Sequence, residues 1–189
     1  HSELQSGLGE MSHYFVAASE DDFNRFKNEY PFAKQDKNVL NGLIERSLEI
    51  KKSYIEVDEF DRNKRQVFNY GHSFGHAIES LTNYEVPHGI SVSYGMDMAN
   101  FVSVKMDYLQ SKIRQEIREL LEQIWDGYVI SNLSIEKFAN ALSKDKKNIG
   151  KELRLILCKG YGKLFKTGIQ LDRQFMGWLE EYFDKELVH

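Results

Sequence analysis

A single cysteine, Cys158, cannot close an intramolecular disulfide. That excludes a disulfide-stapled secreted scaffold and points to a reducing, cytoplasmic compartment. Only two prolines, Pro31 and Pro87, interrupt the 189 residues, so little stands in the way of long helices. No run approaches the ~20 consecutive apolar residues that a membrane-spanning helix needs. The opening residues, His1-Ser2-Glu3-Leu4-Gln5, have neither the basic start nor the apolar stretch of a secretory signal. Basic residues number 25 against 29 acidic, a net charge of −4, so the basic footprint of a nucleic-acid binder is missing. Internal repeats and low-complexity tracts are missing as well. No nucleic-acid partner and no membrane partner is therefore expected.

What is present is the composition of an ordinary folded domain, 41% apolar and 29% charged. Ser19-Glu20-Asp21-Asp22 predicts a helix start, a serine cap with acids in the first turn. Apolar residues recur at helical spacing from Asn38 to Tyr54, from Ser111 to Trp125, after Ser134, and after Asp172. One stretch reads as strand, Leu153 to Cys158; with Gly160 and Gly162 behind it, a short hairpin over 153–169 is expected. The fold class that follows is mainly α: one domain over 1–189, of six to eight helices and one hairpin.

The chemistry gathers around histidine. Of six histidines, His1 and His189 are terminal and incidental. Three of the others, His72, His76 and His88, fall close together, with His13 upstream. On a helix His72 and His76 face one side, and so do Gly71 and Gly75, which leaves that surface short of side-chain bulk. Glycines in a helix are costly, and a sequence accepts them where a backbone or ligand must come close. Two imidazoles and one carboxylate around an open position make a catalytic zinc pattern. Arg65 and Asn69 stand just upstream; a helix starting that early would align Arg65, Asn69, His72 and His76 in one polar stripe. A guanidinium there suits a carboxylate or phosphate. Glu-x-x-His occurs twice, ending at His13 and His88, as in di-iron bundles, but Pro87 breaks the second copy.

The run Asn69-Tyr70-Gly71-His72-Ser73-Phe74-Gly75-His76-Ala77-Ile78-Glu79, with His88-Gly89 and Gly95-Met96 after it, resembles the signature of the 3-dehydroquinate synthase family and its sugar-phosphate cyclase relatives. Ser6-Gly7-Leu8-Gly9-Glu10-Met11 looks like that family's glutamate block. Lys51, Val57-Asp58-Glu59 and Arg65 resemble its approach to the histidine motif. Lys144-Asp145-Lys146-Lys147 and Leu153-Arg154-Leu155-Ile156-Leu157 resemble its late lysine block and strand. The resemblance implies that Glu10, His72 and His88 bind zinc, or another divalent metal such as cobalt. It implies that His76, Asn69 and a lysine of the Lys146-Lys147 pair reach the substrate phosphate, and that Lys51 and Arg65 reach its carboxylate end. The reaction implied is NAD-dependent conversion of a seven-carbon keto-acid phosphate into 3-dehydroquinate with loss of phosphate, on a homodimer. Another sugar-phosphate cyclase, or a metal-dependent polyol dehydrogenase of the same superfamily, is the alternative.

Two departures bear on this. His13 stands where the family pattern has a lysine that contacts substrate. A dinucleotide loop is also wanting: Gly7-Leu8-Gly9 and Gly160-Tyr161-Gly162 lack the third glycine, with Ser12 and Phe165 in its place. The expectation is therefore a C-terminal helical domain of a longer protein. Its N-terminal NAD-binding α/β domain would be absent from this chain, which alone would neither bind NAD tightly nor turn over.

Overall fold

The computed structural model describes residues 2–57, 65–131, 133–144 and 152–187. Eight helices run in order: α1 (Ser2–Ala18), α2 (Glu20–Ala33), α3 (Lys37–Val57), α4 (His72–Leu81), α5 (His88–Lys105), α6 (Ser111–Trp125), α7 (Ile135–Ser143) and α8 (Arg173–Glu181). A 3-10 turn over Arg65–Asn69 precedes α4, and a π-helical turn over Tyr182–Glu186 follows α8. Strands β1 (Glu152–Cys158) and β2 (Leu164–Gln170) form one antiparallel hairpin, with Ile156 opposite Lys166 and Arg154 opposite Gly168. No helix among the described residues is long and apolar enough to cross a membrane.

Side-chain caps open three of the helices. Ser19, Ser134 and Asp172 each accept a backbone N–H from three residues on, that of Asp22, Lys137 and Phe175. Each satisfies one of the donors that a helix start leaves open. The amphipathic helices α6 and α7 and the hairpin fall where their spacing predicts.

The core is organised around α5, which packs against α1, α4, α6 and β1. Every residue of α5 from Gly89 to Ser103 is buried, as suits a helix with no charged face. Its one acid, Asp97, is neutralised from outside: Arg114 of α6 grips both carboxylate oxygens at 3.0 Å, Arg118 donates at 2.9 Å, and the Tyr182 hydroxyl at 2.9 Å. A buried carboxylate left without such partners is strongly destabilising.

The paired glycines prove to be helix-packing positions. A Cβ on Gly89 would lie 1.7 Å from the Ser6 carbonyl oxygen, and one on Gly9 2.5 Å from the Gly89 carbonyl oxygen. The backbones of α1 and α5 therefore meet where no larger residue fits. Gly71 has φ +80°, and its absent Cβ makes room for Val92 and Met96 of α5. That left-handed residue resets the chain between the 3-10 turn and α4. Arg65 and Asn69 consequently do not continue the His72–His76 stripe, and the space beside Gly75 holds α5 backbone rather than a ligand.

Candidate metal centre

The close helix crossings set the site. Glu10 follows Gly9 on α1, His72 follows Gly71 at the start of α4, and His88 precedes Gly89 at the start of α5. His72 Nε2 lies 3.5 Å from Glu10 Oε1, and His88 Nε2 lies 3.4 Å from Glu10 Oε2. One donor atom from each residue lies within 4.8 Å of the other two.

The far nitrogens of both rings are committed. His72 Nδ1 is 3.2 Å from the Tyr70 carbonyl, and His88 Nδ1 is 3.0 Å from Oε1 of the buried Glu79. Both partners are acceptors, so Nδ1 carries the hydrogen and Nε2 is turned toward Glu10. Burial by itself would raise the Glu10 carboxyl, but the His72 contact and the charges of His13, His72 and His88 hold it down at about 2. Glu10 is thus ionised at neutral pH, yet its buried Oε2 has no hydrogen-bond partner among the described residues. Both Nε2 atoms and the Glu10 carboxylate are thus turned toward one another, close enough for a single cation to be held by all three. Carboxylate and two oriented imidazoles are the donor set of a three-ligand zinc site with an open position, and the residues fit such an ion.

His13 lies beneath this set, 1% exposed, its ring 4.0 Å from that of Tyr14 and 5.2 Å from that of His72. Its Nδ1 bonds the Glu10 carbonyl, and its Nε2 has no hydrogen-bond partner among the described residues. Burial pushes its pKa down to about 4, which keeps it neutral at pH 7.

Two cavities meet at Ser73, next to His72 in the chain. The first, about 420 Å³, is walled by Tyr14, Lys51, Arg65, Asn69, Arg154 and Lys166, with Ser73 at its edge. The second, about 500 Å³, is walled by Ser73, His76, Lys137, Asn140 and Lys144.

Residues 7–148 match the family described as 3-dehydroquinate synthase C-terminal. The chain belongs to this family. It is 32% identical over 165 residues to the 3-dehydroquinate synthase of Dictyoglomus thermophilum, covering 86% of this chain and 46% of that protein. It is 35% identical over 161 residues to that of Helicobacter pylori, covering 85% and 46%. The chain thus spans about half the length of these relatives. Among solved structures, the fold matches a 2-deoxy-scyllo-inosose synthase complexed with carbaglucose-6-phosphate, NAD+ and Co2+, with a TM-score of 0.78 at 19% identity over 99% of this chain and 53% of that one. It also matches a 2-epi-5-epi-valiolone synthase from Streptomyces hygroscopicus with NAD+ and Zn2+ bound, with a TM-score of 0.73 at 17% identity, covering 94% and 50%.

Within this family fold the expected site residues separate into groups. Glu10, His72 and His88 come together. Lys51, Arg65 and Asn69 share the first cavity, and His76 faces the second. His13 is on the wall of neither. Lys146 and Lys147 lie outside the described residues. Glu79, Arg154, Lys166, Lys137 and Asn140 were not expected. A charged residue alternating with leucines in β1 was the available sign for Arg154; nothing in the spacing marks the others.

Proposed function

We propose that this chain is the metal- and substrate-binding part of a 3-dehydroquinate synthase-like cyclase, a lyase acting on a seven-carbon keto-acid phosphate. The observation that carries the reading is the convergence of Glu10 with the two oriented imidazoles of His72 and His88, with cavities walled by cations meeting at Ser73 beside His72. Glu10, His72 and His88 hold zinc, or cobalt, which when bound lowers the pKa of substrate hydroxyls and polarises a carbonyl. Lys51 and Arg65 bind the substrate's carboxylate, the guanidinium offering two parallel donors. Asn69, His76 and one of Lys146 and Lys147 hold the phosphate and offset the charge that develops as it leaves. Tyr14 and Phe68 close the apolar side of the first cavity and limit water around the reacting carbons. The reading assigns NAD to an α/β domain outside these 189 residues.

Isothermal titration of the chain with zinc tests the reading. One equivalent is expected to bind, and Glu10→Gln and His72→Asn should each weaken it at least about tenfold. A chain that takes up no zinc overturns the metal assignment. Completed with an NAD-binding domain and given NAD, zinc and the keto-acid phosphate, the protein should release inorganic phosphate. Zinc uptake without phosphate release would overturn the substrate assignment alone.

A further inference from the structure

The first cavity is walled by four cations from three parts of the chain. Lys51 comes from α3, Arg65 from the 3-10 turn, and Arg154 and Lys166 from the two strands of the hairpin. No described Asp or Glu lines it. Four cationic side chains converging on one cavity favour an anionic ligand there.

The hairpin delivers its two cations by register. In an antiparallel pair, residues directly opposite share a face, and so do alternate residues along one strand. Ile156 is opposite Lys166, and Arg154 is two residues before Ile156, so all three look to the same side. That side meets the 3-10 turn: Lys166 Nζ donates to Gln66 Oε1 at 2.7 Å. Arg154 Nη2 stands 3.6 Å from Glu152 Oε2, on its own strand. Both cations are thereby steadied from one flank.

We infer that Arg154 and Lys166 are specificity-determining residues, forming with Lys51 and Arg65 a subsite for a carboxylate on the substrate. The subsite selects an acid over a neutral polyol of the same shape. The inference rests on the proposed cyclase reading for which molecule enters, but the charge of the ligand is read from the cavity itself. The guanidinium of Arg154 supplies paired donors, and Lys166 a point charge that swings from Gln66 onto the incoming oxygen.

The test is isothermal titration of the zinc-loaded chain with quinate, a cyclic polyol carboxylate, and with the same polyol bearing hydroxymethyl in place of the carboxylate. Wild type should prefer quinate by about tenfold or more. Arg154→Gln and Lys166→Gln should each reduce that preference, their combination should abolish it, and Arg154→Lys should keep part of it. Binding of the neutral polyol and zinc uptake should not change. Lys166 is exposed, so its variant keeps the test open should the Arg154 variants fail to fold. A preference that survives the double variant, a parallel loss of both ligands, or a wild type without preference overturns the inference. Zinc uptake is read separately: its failure beside an intact preference for quinate sinks the metal reading and leaves this one standing.

Discussion

A metal-binding histidine is only as good a ligand as the group that holds its other nitrogen. For His88 that group is Glu79, buried on α4 and 3.0 Å from Nδ1. Its carboxylate fixes the tautomer and the ring plane, and makes Nε2 a stronger donor. Glu79→Ala should lower zinc affinity by about 10- to 100-fold, with Glu79→Gln in between because its amide oxygen still accepts. Competition against a coloured chelator measures this, and an unchanged affinity in the alanine variant would refute the role. At this scale the sequence was partly legible. Glu10, His72 and His88 can be named from the motif blocks that resemble the family's. Glu79 sits inside the same motif yet shows its purpose only once α4 and α5 lie side by side. His13 is the converse case: its place in the chain suggests a substrate contact, whereas burial, which no motif records, leaves it neutral beneath the donors.

Among the elements, the glycine crossing of α1 and α5 decides whether the donors meet. Gly89→Ala would drive a methyl group into the Ser6 carbonyl, and the contact atom is backbone, which cannot swing aside. The helices must separate, Glu10 moves away from His88, and stability should fall by about 1–3 kcal/mol, as for other overpacked cores. Chemical denaturation and zinc titration of the variant should show both losses together. A variant of wild-type stability and zinc affinity would mean that the crossing does not set the site. Legibility here follows burial pattern. Helices α2, α7 and α8 announce themselves through caps, and α6 through its one apolar face. Helix α5, covered on all sides, has no face to alternate, and α1 is obscured by Gly7 and Gly9, of which Gly9 lets the α5 backbone approach. The 3-10 turn at Arg65–Asn69 has the residues of a helix start; the left-handed Gly71 after it gives no sign beyond being glycine.

At the scale of the whole molecule, the hairpin and the helices share one core. Leu153, Leu155, Leu157 and Cys158 of β1 are buried together with Tyr94 and Phe101 of α5, and the Cys158 N–H donates to Ser103 Oγ at 3.0 Å. Exposing the thiol therefore means taking the hairpin off α5. Burial pushes that thiol up to about 11 from an ordinary 9.0. At pH 8 its thiolate fraction is then about a hundredfold smaller in the native chain than in the unfolded one, before any obstruction of the reagent. Alkylation should accordingly be slower by at least that factor in buffer than in denaturant, and labelling within about tenfold of the denatured rate would contradict a buried strand position. The same thiol reports how the parts are coupled. In the proposed site zinc would join α1, α4 and α5 and involve no residue of the hairpin, so it would protect Cys158 only if hairpin and helices open as one unit. With a shared core that is the expected outcome: zinc at a hundred times its dissociation constant should slow labelling by about a further hundredfold. A labelling rate indifferent to zinc would instead mean that the hairpin lifts off by itself, carrying Arg154 and Lys166 out of the first cavity while the metal centre stays closed.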